Sequence, residues 1–136
     1  MSDASSSSAP PSRPLSPHLQ IYKPQITSAM SILHRITGVG LSLGAIALVV
    51  WLCAAAESKE DYIAMQGFFG STIGIVLLLG WSWALFYHLC SGLRHLMWDM
   101  GAGLDLPAVY KTGYLAIAAS IVLTFVSWVV GFTMFM

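Results

Sequence analysis

Hydrophobic positions in this chain gather into three long runs, separated by two short polar intervals and preceded by a polar tail. The first run, about Ser28 to Ala56, is free of charge over residues 36–56, enough for a helix to cross a ~30 Å hydrocarbon core. The second lies within Ile63–Met97 and is longer than a crossing needs, so it starts near Phe68 after Gly67 or tilts. The third runs from Thr112 to Met136 and ends without a charge. Glu57–Asp61 is acidic and reads as a short loop. Asp99–Lys111, with Gly101, Gly103 and Pro107, reads as a second. The pattern predicts an all-α integral membrane protein with helices over about 28–56, 65–97 and 112–136, which form one domain from residue 28 onward.

The first 17 residues are rich in serine and proline and cannot bury enough apolar surface to fold alone. Residues 1–27 are therefore expected to be a mobile tail followed by an interfacial segment. Pro17–Pro24 should be extended, because each proline disfavours helix in its predecessor, and Tyr22 and Lys23 suit the membrane–water boundary. No apolar core of a signal peptide precedes residue 25, and the tail is poor in arginine for an organellar transit peptide. That leans towards a bacterial cytoplasmic membrane, with the mitochondrial inner membrane as the alternative.

Composition agrees with the pattern. Of 136 residues, 57% are hydrophobic and only 9% charged, where soluble domains are about a quarter charged. A net charge of zero gives no electrostatic footprint for nucleic acid. Cys53 and Cys90 fall near opposite membrane faces in this topology, too far apart for a disulfide. Arg13, Lys23, Arg35, Arg94 and Lys111 belong to the N-terminal side and second loop, whereas the first loop carries only Lys59. The positive-inside rule then places the N-terminus and second loop in the cytoplasm or matrix and the C-terminus outside.

Polar residues inside these runs need a reason, because an ionisable group in a membrane segment is costly. On a helix, Ser31, His34 and Arg35 share a sector of ~100°, extended by Thr27, Gly38 and Ser42. His88, His95 and Asp99 share one face of the second helix, with Ala84 and Gly92 beside His88. Helices one and two run antiparallel, so Arg35 and His88 can sit at neighbouring depths. Ser120, Thr124, Ser127 and Gly131 form a small stripe on the third helix, a close-packing face. There is no internal repeat and no charged pathway across the bilayer, which counts against a transporter.

Histidine in a membrane helix serves either as a haem ligand or as a hydrogen-bonding tie between helices. Small residues flanking His88 leave room for a flat macrocycle. His88 and His95 stand two turns apart, ~10 Å along the axis, and cannot both be axial ligands of one iron. A second ligand is either His34 or a histidine of another chain. Ser31 and Arg35, at i and i+4, can jointly face a carbonyl-bearing headgroup. Serine donates to a quinone oxygen, and a permanently charged guanidinium stabilises the anion formed on reduction. Arginine equally clamps a haem propionate or snorkels to lipid phosphate, and the same choice applies to Arg94. Asp99 is a proton relay or a plain helix-end charge.

Three segments carry a resemblance. Arg13-Pro-Leu-Ser-Pro-His-Leu-Gln-Ile-Tyr-Lys23, Ser31-Ile-Leu-His-Arg-Ile-Thr-Gly38, and Tyr87-His88 followed by Ser91-Gly-Leu-Arg-His-Leu-Met-Trp-Asp99 closely resemble the cytochrome b subunits of succinate dehydrogenase, which serve as membrane anchors of complex II. The match covers nearly the whole chain from Arg13, with the motifs in the family's order.

The resemblance implies three transmembrane helices, a second three-helix anchor subunit as neighbour, one haem b held between them, and a docked flavoprotein and iron–sulfur subunit. Electrons from succinate pass through flavin and iron–sulfur clusters to ubiquinone near the inner face. By motif position, His88 resembles the axial haem ligand, the other being a histidine of the partner anchor. Ser31 and Arg35 resemble quinone-site residues with Ile32 as an apolar wall. His34, His95 and Arg35 resemble haem-propionate or near-haem contacts. No flavin fingerprint or iron–sulfur cysteine cluster occurs, so succinate oxidation happens elsewhere in the complex. Two other readings remain: a structural, non-redox anchor whose histidines only stabilise helix packing, and a small cytochrome that uses His34 and His88 as both ligands.

Overall fold

The computed structural model describes residues 25–135, the side chain of Phe135 excepted. The expectations for the tail, for the extended Pro17–Pro24 segment and for interfacial Tyr22 and Lys23 lie outside the described residues. Four helices follow one another: α1 (Ile26–Glu57), α2 (Lys59–Gly70), α3 (Thr72–Asp99) and α4 (Leu106–Phe135). Three of them, α1, α3 and α4, are long and apolar enough to cross a membrane. At 32 residues α1 is ~48 Å long, well beyond the hydrocarbon thickness.

The helix ends differ from the sequence expectation, each for a local reason. Glu57–Asp61 is not a loop. Chain direction changes at the single residue Ser58, whose hydroxyl oxygen accepts the Asp61 N–H at 3.0 Å and so caps α2. The stretch expected as one helix over 65–97 is divided at Ser71. Its side chain accepts the Gly74 N–H (3.2 Å) and donates to the Phe68 carbonyl (2.6 Å), ending α2 and starting α3 at Thr72. A Cβ at Gly74 would overlap the Phe68 carbonyl, so only glycine lets the two helices meet this closely. The second loop is shorter than expected because Asp105 accepts the Ala108 N–H at 3.2 Å and α4 begins at Leu106. Between α3 and α4 the chain turns through Gly101 and Gly103, both at positive φ, which glycine adopts without strain.

α3 is the central element, packed against both α1 and α4, whereas α1 and α4 touch less. The buried interior is small and lies towards the end of the bundle where α1 and α4 begin and α3 finishes. Met30, Tyr87 and Ala116 form it, with Leu33, Trp83 and Cys90 against them. Tyr87 is wholly buried, and its hydroxyl donates to the Met30 carbonyl at 3.0 Å, tying α3 to α1. Ser120 and Thr124 are buried between helices, as the small stripe of α4 predicts, but Ser127 further along it is exposed. Nearly all the large aliphatic side chains face outward. In water that surface would drive aggregation, whereas in lipid it is the expected solvent-facing side, and small residues make the helix contacts. Cys53 is exposed and Cys90 half-buried, both as free thiols.

Replacing Tyr87 with Phe removes the one side-chain hydrogen bond that pins α3 to the Met30 carbonyl. It should lower the stability of the folded chain by about 1 kcal/mol, read as an earlier thermal unfolding transition in detergent. An unchanged transition would mean the hydroxyl is not a tie.

Candidate functional site

The antiparallel course of α1 and α3 brings three of the four histidines together. His34 on α1 lies face to face with His88 on α3, ring centroids 3.9 Å apart and planes 10° from parallel. His95, two turns further along α3, meets His34 at 5.2 Å with planes tilted by 52°. The order along the cluster is therefore His88, His34, His95.

His88 is held through one ring nitrogen. Nδ1 lies 3.1 Å from the His34 carbonyl oxygen and 3.3 Å from Thr37 Oγ1. A carbonyl oxygen only accepts, so Nδ1 carries the hydrogen and donates it. The Thr37 hydroxyl has acceptors of its own in the Leu33 and His34 carbonyls, each at 2.9 Å. That arrangement leaves Nε2 as the unprotonated nitrogen. A metal-binding imidazole has this form, with the far N–H fixed by a carbonyl that sets both tautomer and ring orientation. α1 yields space for the ring at Gly38, where a Cβ would stand 3.0 Å from His88 Cε1. On α3 the same face is open at Gly92, where a Cβ would meet nothing within 4 Å. A ligand of His88 would thus meet an unprotonated Nε2, with open space at Gly92. The buried Nδ1 of His34 has no hydrogen-bond partner among the described residues, so His34 also has polar capacity left over for a ligand.

The stack excludes His34 and His88 as the two axial ligands of one iron. Axial nitrogens approach the metal from opposite sides and point at each other. In parallel rings 3.9 Å apart the nitrogens point along the planes, with no iron-sized gap between them. The small self-sufficient cytochrome is thereby set aside.

The polar sector of α1 is divided rather than shared. His34 faces α3, while Arg35 and Ile32 are exposed, Ile32 by 57%, and Ser31 is half-buried. Ser31, Ile32 and Arg35 thus present one side of α1 outward, next to the histidine cluster, with no covering wall among the described residues. Asp99 is exposed at the last residue of α3, one turn beyond His95. No hydrogen bond or ion pair joins it to Ser31 or Arg35 among the described residues.

Three further residues belong to this region. Thr37 sits one turn after His34 and touches His88, and its signal was that spacing. Trp98 meets the edge of His95 at 5.2 Å. Arg94 does not snorkel to lipid: it is 6% exposed and turned towards α4, donating to Thr112 Oγ1 (3.1 Å) and the Val109 carbonyl (2.8 Å).

A family model described as the succinate dehydrogenase/fumarate reductase transmembrane subunit matches residues 9–127. The chain is 45% identical over 117 residues to the succinate dehydrogenase cytochrome b556 subunit of Rickettsia bellii, covering 86% of this chain and 91% of that one. The b556 subunit of Paracoccus denitrificans is 41% identical over 120 residues, covering 88% and 92% respectively. With the cytochrome b560 subunit of Reclinomonas americana the identity is 39% over 127 residues, covering 87% and 85%. Three apolar helices, a histidine cluster between two of them and these similarities lead to one conclusion: the chain belongs to the family of succinate dehydrogenase and fumarate reductase transmembrane subunits.

Proposed function

We propose that this chain is the subunit through which a succinate:quinone oxidoreductase, complex II, is anchored in its membrane, and that it holds one face of a haem b and one side of a ubiquinone-reduction site. The observation that carries the reading is the His88 ring, with Nδ1–H donated to the His34 carbonyl and Nε2 left to bind iron. Haem b supplies one-electron storage when bound. His88 would hold the haem iron from this chain, and a histidine of a second anchor subunit would supply the other ligand, since His34 is stacked on His88 and His95 stands two turns away along α3. His34, His95 and Arg35 would be the contacts of the haem propionates. The unpartnered buried nitrogen of His34 supports that role.

Ser31 and Arg35 are the polar side of the quinone site, and Ile32 its apolar wall. Ser31 donates a hydrogen bond to a quinone carbonyl, and the Arg35 guanidinium holds positive charge beside the oxygen that gains electron density. Their outward aspect on α1 fits a pocket completed by the second anchor and the iron–sulfur subunit. Asp99, at the adjoining end of α3, can pass protons between water and that pocket. Succinate oxidation belongs to the flavoprotein subunit. The distribution of basic residues orients α1 with its N-terminus on the cytoplasmic or matrix side, and the membrane is the bacterial cytoplasmic one or the mitochondrial inner one.

In the purified complex, His88→Ala should abolish the b-type spectrum and haem content. Unchanged haem would remove the ligand assignment and favour a purely structural anchor. Gly38→Val should act on the same ring from the α1 side, lowering haem occupancy by crowding Cε1, and full occupancy with a wild-type spectrum would contradict the packing described. Arg35→Ala should cut quinone reductase activity by about 10²-fold while succinate oxidation by an artificial acceptor is retained. Equal loss of both activities would count against the quinone role.

A further inference from the structure

The mechanism leaves one buried charge without a task. Among the described residues Arg94 donates only to neutral oxygens, the Thr112 hydroxyl and the Val109 carbonyl, and its guanidinium carbon lies 3.9 Å from the centre of the Trp98 ring. α4 presses close: a Cβ at Gly113 would stand 3.6 Å from Nη2. A guanidinium enclosed in this way costs desolvation that hydroxyl and carbonyl partners only partly offset. If the aim were merely to join α3 to α4, an apolar side chain of similar length would do so at lower cost.

What the clamp holds is a line of rings. Trp98 is fixed from one side by the guanidinium and from the other by its own indole N–H, donated to the Gly103 carbonyl at 3.2 Å. Its ring meets His95 edge-on at 5.2 Å and 83°, His95 meets His34, and His34 stacks on His88. We infer that Arg94 is a positioning residue: by holding Trp98 it sets the place of His95 and, through His34, the rotation of the His88 imidazole about its hydrogen bond to the His34 carbonyl. The fork geometry matters as well as the charge, because two nitrogens bond two different oxygens of α4 while the flat face covers the indole. Lysine offers neither the second directed bond nor the planar stack. This inference rests on the haem reading above, since the plane of His88 matters chemically only if that ring binds iron.

The test uses the assembled complex and the electron paramagnetic resonance of its oxidised haem, whose g-anisotropy reports the angle between the two axial imidazole planes. Arg94→Met and Arg94→Lys should both shift the largest g value while the absorption spectrum keeps its two-imidazole form. Thr112→Val, which removes one acceptor and keeps the shape, should shift it less and in the same direction. The inference is overturned if the three variants assemble with haem and a wild-type g tensor, leaving Arg94 a simple helix tie. It is overturned equally if Lys restores the wild-type signal that Met loses, since charge alone would then be the agent. Should the Arg94 variants fail to assemble, Thr112→Val decides alone, and an unshifted signal there sinks the inference. A wild-type complex lacking a low-spin haem signal would instead sink the haem reading on which all this stands.

Discussion

The hydrogen bond from His88 Nδ1 to the carbonyl of His34 is the contact on which the rest of the site depends. It joins α1 to α3, and the same bond decides which nitrogen of His88 is left without a proton. A ring held by a side chain could follow that side chain's rotation, whereas a helix carbonyl is fixed by its own ladder. The nearby Tyr87 bond to the Met30 carbonyl repeats the device one turn away. Together they set the depth of α1 against α3, so the chemistry of the site and the packing of the bundle are specified by the same atoms.

A second constraint comes from the solvent. Lipid gives no hydrophobic drive for helices to associate, so their contacts are made by small and polar groups and by close approach. Gly38 admits the His88 ring, and Gly44 lies so close to the Trp81 indole that a Cβ there would overlap it. Ser120, Thr124 and Arg94 are buried, while Ile32, Leu93 and Phe125 face outward. The half-buried Ser31 and exposed Arg35 fit the quinone role proposed for them. A subunit that lends one wall to a shared pocket must present its polar groups at its own surface, to be covered on assembly.

Much of this was legible in the chain. The three apolar runs locate the membrane helices, and the facing of His88 and His95 follows from their seven-residue spacing. What patterning misplaced was decided by single side chains. Ser58 and Asp105 start helices inside stretches whose charge and glycine content look like loop, yet Ser-x-x-Asp at 58–61 and Asp followed by Pro107 are both helix-start signals. Ser71 breaks a run that hydrophobicity alone makes continuous. The 100° sector of α1 was correctly polar, but periodicity cannot say that α3 covers its His34 edge and leaves Arg35 outside. The burial of Arg94 was out of reach for a related reason: its partners Val109 and Thr112 lie on the next helix, beyond any local pattern. The tight motifs around Ser31 and His88 named the family, and the arrangement of their rings needed coordinates.

The central claim is that this chain presents one imidazole to iron, prepared by a backbone carbonyl, and relies on a second chain for the other. The near-infrared magnetic circular dichroism spectrum of the oxidised, assembled complex tests it most directly, because its charge-transfer band distinguishes pairs of axial ligands. The account predicts a low-spin band characteristic of two neutral imidazoles. A histidine–methionine band, a high-spin spectrum or no haem signal in a complex that still oxidises succinate would contradict it.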